Sequence, residues 1–245
     1  MNQQNGSQCV ASYLELSGPS NAVNQPVHSR SFKMSDSTLL NLIFEEESEL
    51  WLAASEKHPF LVGCADGSIS KQQFDTWMAQ DYLYVNSFQP FLKGVLVVAP
   101  IPDKVVLESG LNAVDKELEW FVQRAKERDL DLSATPLPTT VTYKEFMSIL
   151  ANENYSLQVI ALYLIERVYQ KAWSVVLEKA GKDGLYSLYA QNWGNADFKS
   201  YVDMLEVLAT REMSTDNVND TEIHNLFEKI MKLEVLFWDM AFESA

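Results

Sequence analysis

The sequence predicts an all-α protein with a single folded domain. Three observations carry that expectation. Nine glycines and eight prolines in 245 residues are too few for a many-turned β architecture. Apolar residues recur at helical spacing in segment after segment, and no stretch alternates with period two. Cap-forming residues stand at the starts of these segments, and the best-marked stop carries glycine. The length would also accommodate two small domains, but no internal linker or repeat divides the chain. We read residues 1–35 as a disordered tail and residues 36–245 as the helical domain.

The first helix is expected after Asp36, with Leu39, Leu40, Ile43, Phe44, Leu50 and Trp51 as its stripe. It stops at His58-Pro59, because proline disfavours helix in the residue before it. Asp66-Gly67 marks a turn. Ser70 with Gln73 forms a capping-box pattern that opens a long second helix. Pro90 kinks that helix, which ends near Pro100. A third helix runs from about Asp103 to Arg128, and Ser133 to Thr140 is a loop. Thr140 or Thr142 caps a fourth helix, to Leu150. Ser156 caps a fifth, to about Lys179, ended by Gly181 and Gly184. A short helix at Leu185 to Gln191 leads into Trp193-Gly194-Asn195. Helices at about Ala196 to Arg211 and Thr221 to Phe242 complete the chain.

A net charge of −15, from 34 acidic and 19 basic residues, repels a phosphate backbone and an anionic membrane alike. The charge is best read as a solubilising surface. The two cysteines, Cys9 and Cys64, make no disulfide framework and no metal-binding pattern, which fits a reducing compartment. Apolar runs such as Val159 to Ile165 fall well short of the roughly 18 residues of a membrane span. The first 34 residues lack a secretory apolar stretch. Their Ser/Asn/Gln-rich, acid-poor composition is only a weak match to a transit peptide, so a cytoplasmic protein is expected.

Chemistry is suggested by carboxylates on apolar faces. Glu234 stands in the last helix's stripe, four after Ile230 and three before Phe237. Asp81 has Trp77 and Met78 one turn before it and Tyr84 and Val85 one turn after. Glu166 has Leu162 and Tyr163 behind and Tyr169 and Gln170 ahead. A buried carboxylate must be paired, hydrogen-bonded or protonated. For each one the alternative is a structural ion pair; for Glu166 the neighbours Arg167 and Lys171 offer it. Three together, each beside aromatics, describe a polar pocket in a helical bundle suited to a flat, nitrogen-rich ring. No Glu-x-x-His pair marks a di-metal site. His28 falls in the tail, His224 is expected to be exposed, and His58 caps or packs a helix end. Cys64 has no activating neighbour.

The run Lys57-His-Pro-Phe-Leu-Val-Gly-Cys-Ala-Asp-Gly-Ser-Ile-Ser, continuing to Gln80-Asp81-Tyr82-Leu83-Tyr84, resembles the amino-terminal signature of the TenA family. Glu234-Val-Leu-Phe-Trp-Asp-Met-Ala resembles its carboxy-terminal signature. Ile165-Glu166-Arg-Val-Tyr169-Gln and Trp193-Gly194-Asn195 resemble the plant-type branch that lacks the family's cysteine. The resemblance covers about residues 36–243. It implies a haem-oxygenase-like helical fold without haem, assembled as a homo-oligomer, dimer or tetramer. It implies hydrolysis of an aminomethyl- or formylaminomethyl-pyrimidine from thiamin breakdown to hydroxymethylpyrimidine. Asp81 would then hold the ring's amino group and nitrogen. Tyr84, Tyr143, Tyr169, Trp193 and Phe237 would line or stack on the ring, and Glu234 would be the catalytic acid/base. The cysteine position is Ile165, with Glu166 beside it. The expected division makes Glu166 the base that activates water and Glu234 the acid, with neither metal nor bound cofactor. Two rivals share the pocket: a non-catalytic pyrimidine binder and an oxidative enzyme of the same fold. Old family names mention transcription, but the acidic charge gives DNA binding no support.

Overall fold

The computed structural model describes residues 48–244, and among these every regular element is helical. The expected tail, the opening of the first helix with Leu39 to Phe44, Cys9 and His28 all lie outside the described residues. Helix α1 (Glu49–Leu52) runs into a π-helical turn, Ala53–Lys57. There follow α2 (Pro59–Asp66), α3 (Lys71–Val98), α4 (Lys104–Arg128), α5 (Pro138–Leu150), α6 (Tyr155–Ala180), α7 (Ser187–Trp193), α8 (Ala196–Met213) and α9 (Asp220–Phe242).

The best local signals hold. Ser70 and Gln73 form both halves of a capping box at α3, and Gly67 closes α2 with a left-handed φ of 78°. His58 caps α2, its Nδ1 accepting the Phe60 amide at 3.1 Å, while Nε2 meets Asp239 at 3.0 Å. Other boundaries differ for tertiary reasons. The stretch between His58-Pro59 and the Asp66-Gly67 turn, given no element in the sequence reading, is helix α2, because Pro59 at its first position is preorganised for helix. Helix α5 starts at Pro138, and neither Thr140 nor Thr142 caps it: Thr140 donates to Gln80 and Thr142 to the Pro138 carbonyl. Helix α6 is capped by Asn154, because Ser156 is buried and donates to Glu212. Pro90 rides on the exposed side of α3, which continues to Val98.

Helix α6 is the hub, packing on α2, α7, α8 and α9. Val159 to Ile165 are all buried, so this helix runs apolar around its whole girth. Each large aliphatic side chain there contributes roughly 1.5–3 kcal/mol on burial. Helices α3 and α9 pack against each other, α3 also holds α4 and α5, and the wall between these helices and α6 is the site described below. Gly194 lets the α7–α8 corner reach α6: a Cβ there would lie 2.6 Å from the Trp173 carbonyl oxygen and 2.7 Å from that of Ala190. Gly194→Ala is therefore expected to cost about 1–3 kcal/mol, as overpacking against backbone does. Thermal unfolding should show the melting temperature lower by about 2–4 °C per kcal/mol, and an unchanged transition would contradict the contact.

Candidate active site

A cavity opens between α3, α4, α6, α7, α8 and α9. Asp81 and Tyr84 reach it from α3, and Ile165, Glu166 and Tyr169 from α6. Trp193 comes from the end of α7 and Glu234 from α9. One-turn spacing sets this convergence: Asp81 and Tyr84 are three apart, as are Glu166 and Tyr169, so each pair shares a helix face. Six of the eight expected residues thus line one cavity. Tyr143 and Phe237 do not. Both are buried behind the wall, with ring centroids 4.8 and 5.8 Å from that of Tyr84. They shape the wall rather than face the space.

Each lining carboxylate has a distinct environment. Asp81 accepts from the Tyr169 hydroxyl at 2.6 Å. Glu234 accepts from the Tyr143 hydroxyl at 2.6 Å. Glu166 is 9% exposed, and no hydrogen bond or ion pair joins it to another described residue. The ion-pair alternative for Glu166 fails on this point: Lys171 instead pairs with Glu56 at 2.9 Å.

A fourth carboxylate, Glu117 of α4, was not anticipated. It lies deep in the bundle, keeps partial exposure where it lines the cavity, and accepts from the Trp193 indole N–H at 2.6 Å. It continues the buried stripe of Leu107, Gly110 and Val114, and that spacing could have found it.

Burial raises the pKa of all four. Asp81 is held well above the usual carboxylate range by burial, against the Tyr169 hydrogen bond and reinforced by Glu117 and Glu234. Glu166 is raised well above its ordinary value by burial, then by Glu117 and Glu234 beside it. Glu117 and Glu234 are each pushed up to about 7 by burial, moderated by the Trp193 and Tyr143 donors respectively. Glu234 has a hydroxyl that stabilises its anion and Glu166 has none among the described residues, a difference that lowers the cost of ionising Glu234. It favours the opposite division of roles from the one expected from sequence.

Cys64 is far from being a nucleophile. It is 1% exposed within α2, and burial drives its thiol pKa upward. No helix among the described residues is long and apolar enough to cross a membrane. Nor do any three His, Cys, Asp or Glu side chains there gather as a metal site requires.

The profile of the TENA/THI-4/PQQC family matches residues 45–244. A soybean (Glycine max) protein named probable bifunctional TENA-E protein is 28% identical over 213 residues, covering 79% of this chain and 92% of that one. An aminopyrimidine aminohydrolase of Halalkalibacterium halodurans is 26% identical over 216 residues, covering 82% of this chain and 93% of its own. The crystal structure of a TenA homologue from Pyrococcus furiosus superposes with a TM-score of 0.77 at 24% identity, covering 83% of this chain and all of that one. The shared fold is therefore the all-α fold of TenA proteins.

Proposed function

The chain belongs to the TENA/THI-4/PQQC family, and from that premise we propose that it is a hydrolase of thiamin salvage. It converts an aminomethyl- or formylaminomethyl-pyrimidine to hydroxymethylpyrimidine. The observation that carries this reading is the cavity itself: unpaired and hydroxyl-bonded carboxylates on an aromatic wall, built for a flat ring with N–H donors. The similar aminopyrimidine aminohydrolase supports the same reaction.

Asp81 binds the ring's amino group and adjacent nitrogen, oriented by the Tyr169 hydroxyl. Tyr84, Tyr169 and Trp193 pack against the ring, with Tyr143 and Phe237 fixing the wall behind them. Glu234, ionised first, takes the proton of the attacking water. Glu166, which retains its proton, delivers it to the departing nitrogen. Water adds to the methylene carbon, the C–N bond breaks with its electron pair passing to nitrogen, and ammonia leaves. The proton gained by Glu234 then returns to Glu166 through solvent. The protein works as a cytoplasmic homo-oligomer, a state that light scattering tests.

Incubation with both pyrimidines, with product identification, tests the function directly. Hydroxymethylpyrimidine and ammonia are expected from the amine; from the N-formyl compound formate is released first, by water addition at the formyl carbon with cleavage of the amide C–N bond, and the amine so formed then reacts in the same way. Binding without product would make the protein a pyrimidine binder, and oxygen uptake would make it an oxidase.

Asp81→Asn keeps the shape and can still pair with a neutral aminopyrimidine edge, but it cannot share a proton with the ring nitrogen, so the charge-assisted part of the bond is lost. Affinity for the hydroxymethyl product should fall by about 2–3 kcal/mol, the scale of a charge-assisted bond. Titration calorimetry giving wild-type affinity would make Asp81 purely structural.

A further inference from the structure

Gln80 precedes Asp81 on α3, and the two side chains go separate ways, as neighbours on a helix do at about 100° per residue. Asp81 lines the cavity, whereas Gln80 is 3% exposed and turns to the connection between α4 and α5. Its Nε2 donates to the Thr135 carbonyl at 3.1 Å. Its Oε1 accepts from the Leu137 amide at 2.9 Å and from the Thr140 hydroxyl at 2.7 Å. Leu137 is the N-cap of α5 and has no side-chain cap to offer. In a capping box the N-cap amide is taken by a side chain of the same helix. Here that acceptor comes from α3, so Gln80 fixes where α5 begins.

Tyr143 stands one turn after Thr140, on the same face of α5. Its hydroxyl is the donor to Glu234, a bond from α5 to α9 at 2.6 Å. Helix α5 leans chiefly on α3 and α9 rather than on the hub α6. A small movement of its first turn therefore carries the Tyr143 hydroxyl with it, and a hydrogen bond weakens steeply as its geometry degrades. We propose that Gln80 is a positioning residue: by pinning the first turn of α5 to α3, it holds the Tyr143 hydroxyl on Glu234. Its consequence for turnover rests on the reading of Glu234 as the general base.

The titration of Glu234 reports this bond. Asp81 and Tyr84 of α3, Tyr143 of α5 and Glu166 of α6 are the titratable groups that face it, and Glu117 of α4 shares the cavity. Gln80→Met alters none of them and introduces no charge. It keeps the length of the side chain and removes all three of its hydrogen bonds. Carbon-13 NMR on glutamate-labelled protein follows the Glu234 carboxyl, its signal identified by loss in Glu234→Gln. Tyr143→Phe should raise the midpoint by about one pH unit or more, the scale of one charge-assisted bond. Gln80→Met should raise it by at least about 0.5 pH units. The double variant should go no higher than Tyr143→Phe alone, because both changes remove the same bond. A smaller rise in Gln80→Met, shifts that add in full, or an unmoved midpoint in Tyr143→Phe would overturn the proposal. If Gln80→Met does not fold, Thr140→Val decides, being isosteric and lacking one of the three bonds. A rise in its midpoint sustains the proposal, and a wild-type midpoint rejects it. The acidic limb of kcat should follow the same order. Midpoints that move while that limb stays still would sustain the positioning and remove Glu234 from its role as base.

Discussion

Glu234→Gln is expected to lower kcat by at least about a hundredfold, the usual range for loss of a general base. Glutamine retains an oxygen for the Tyr143 hydroxyl, which sits 2.6 Å from Glu234 in the wild-type protein, but it cannot take a proton from water. With the wild-type carboxyl raised to about 7 by burial, kcat should fall as pH drops below 7, because the base becomes protonated. The variant should lack that acidic limb. Stability should move the other way. A carboxyl whose folded pKa is raised binds its proton more tightly when folded. It therefore contributes stability below its unfolded value, and that contribution is lost as pH rises through about 7. At pH 8 the buried charge is a burden that glutamine removes, so Glu234→Gln should melt no lower than the wild type. Activity profiles from pH 5 to 9 and parallel melting curves measure both effects. Near-wild-type turnover in a folded variant would take Glu234 out of the mechanism.

Much of this was legible in the sequence, and the gaps have physical causes. A capping box is a closed local pattern, so Ser70 and Gln73 announce α3 without reference to the rest of the protein. Thr140 and Ser156 carry the same kind of signal, yet Gln80 and Glu212 recruit their hydroxyls from distant helices, which no local window contains. Asp81, Glu166 and Glu234 stood out because large apolar side chains frame them. Glu117 obeys the same rule but was hidden. Its stripe of Leu107, Gly110 and Val114 is interrupted by glycine, and its sequence neighbours Asp115, Lys116 and Glu119 make α4 read as a solvated helix. Periodicity also identifies a helix face but not a depth. Tyr143 and Phe237 point toward the site as expected and stop one layer short of its surface. Proton placement on Glu166 and Glu234 depends on the Tyr143 hydroxyl, 91 residues from Glu234 along the chain.

Glu166→Gln is the variant that separates the two proton assignments, and its kcat/KM on the amine should fall by about a hundredfold. Burial and the adjacent Glu117 and Glu234 raise the pKa of Glu166 and favour its protonated form, and no donor among the described residues stabilises its anion. A protonated acid and an ionised base working together give a bell-shaped pH profile whose two apparent values belong to the pair. If Glu166 is the acid, its loss removes the alkaline limb of kcat and leaves the acidic limb set by Glu234. If Glu166 were instead the base, the same substitution would remove the acidic limb. The surviving limb therefore identifies the role, whatever the size of the rate loss. Glutamine is isosteric with the native side chain, so Glu166→Gln should fold, and melting curves check that. A thiol route is tested in the same experiment. Cys64 is buried in α2 with its thiol pKa pushed up, and it does not line the cavity. The Cys9→Ser, Cys64→Ser double variant should keep near-full activity and be indifferent to thiol alkylators. An inactive cysteine-free protein alongside an active Glu166→Gln variant would transfer the chemistry from the carboxylates to sulfur.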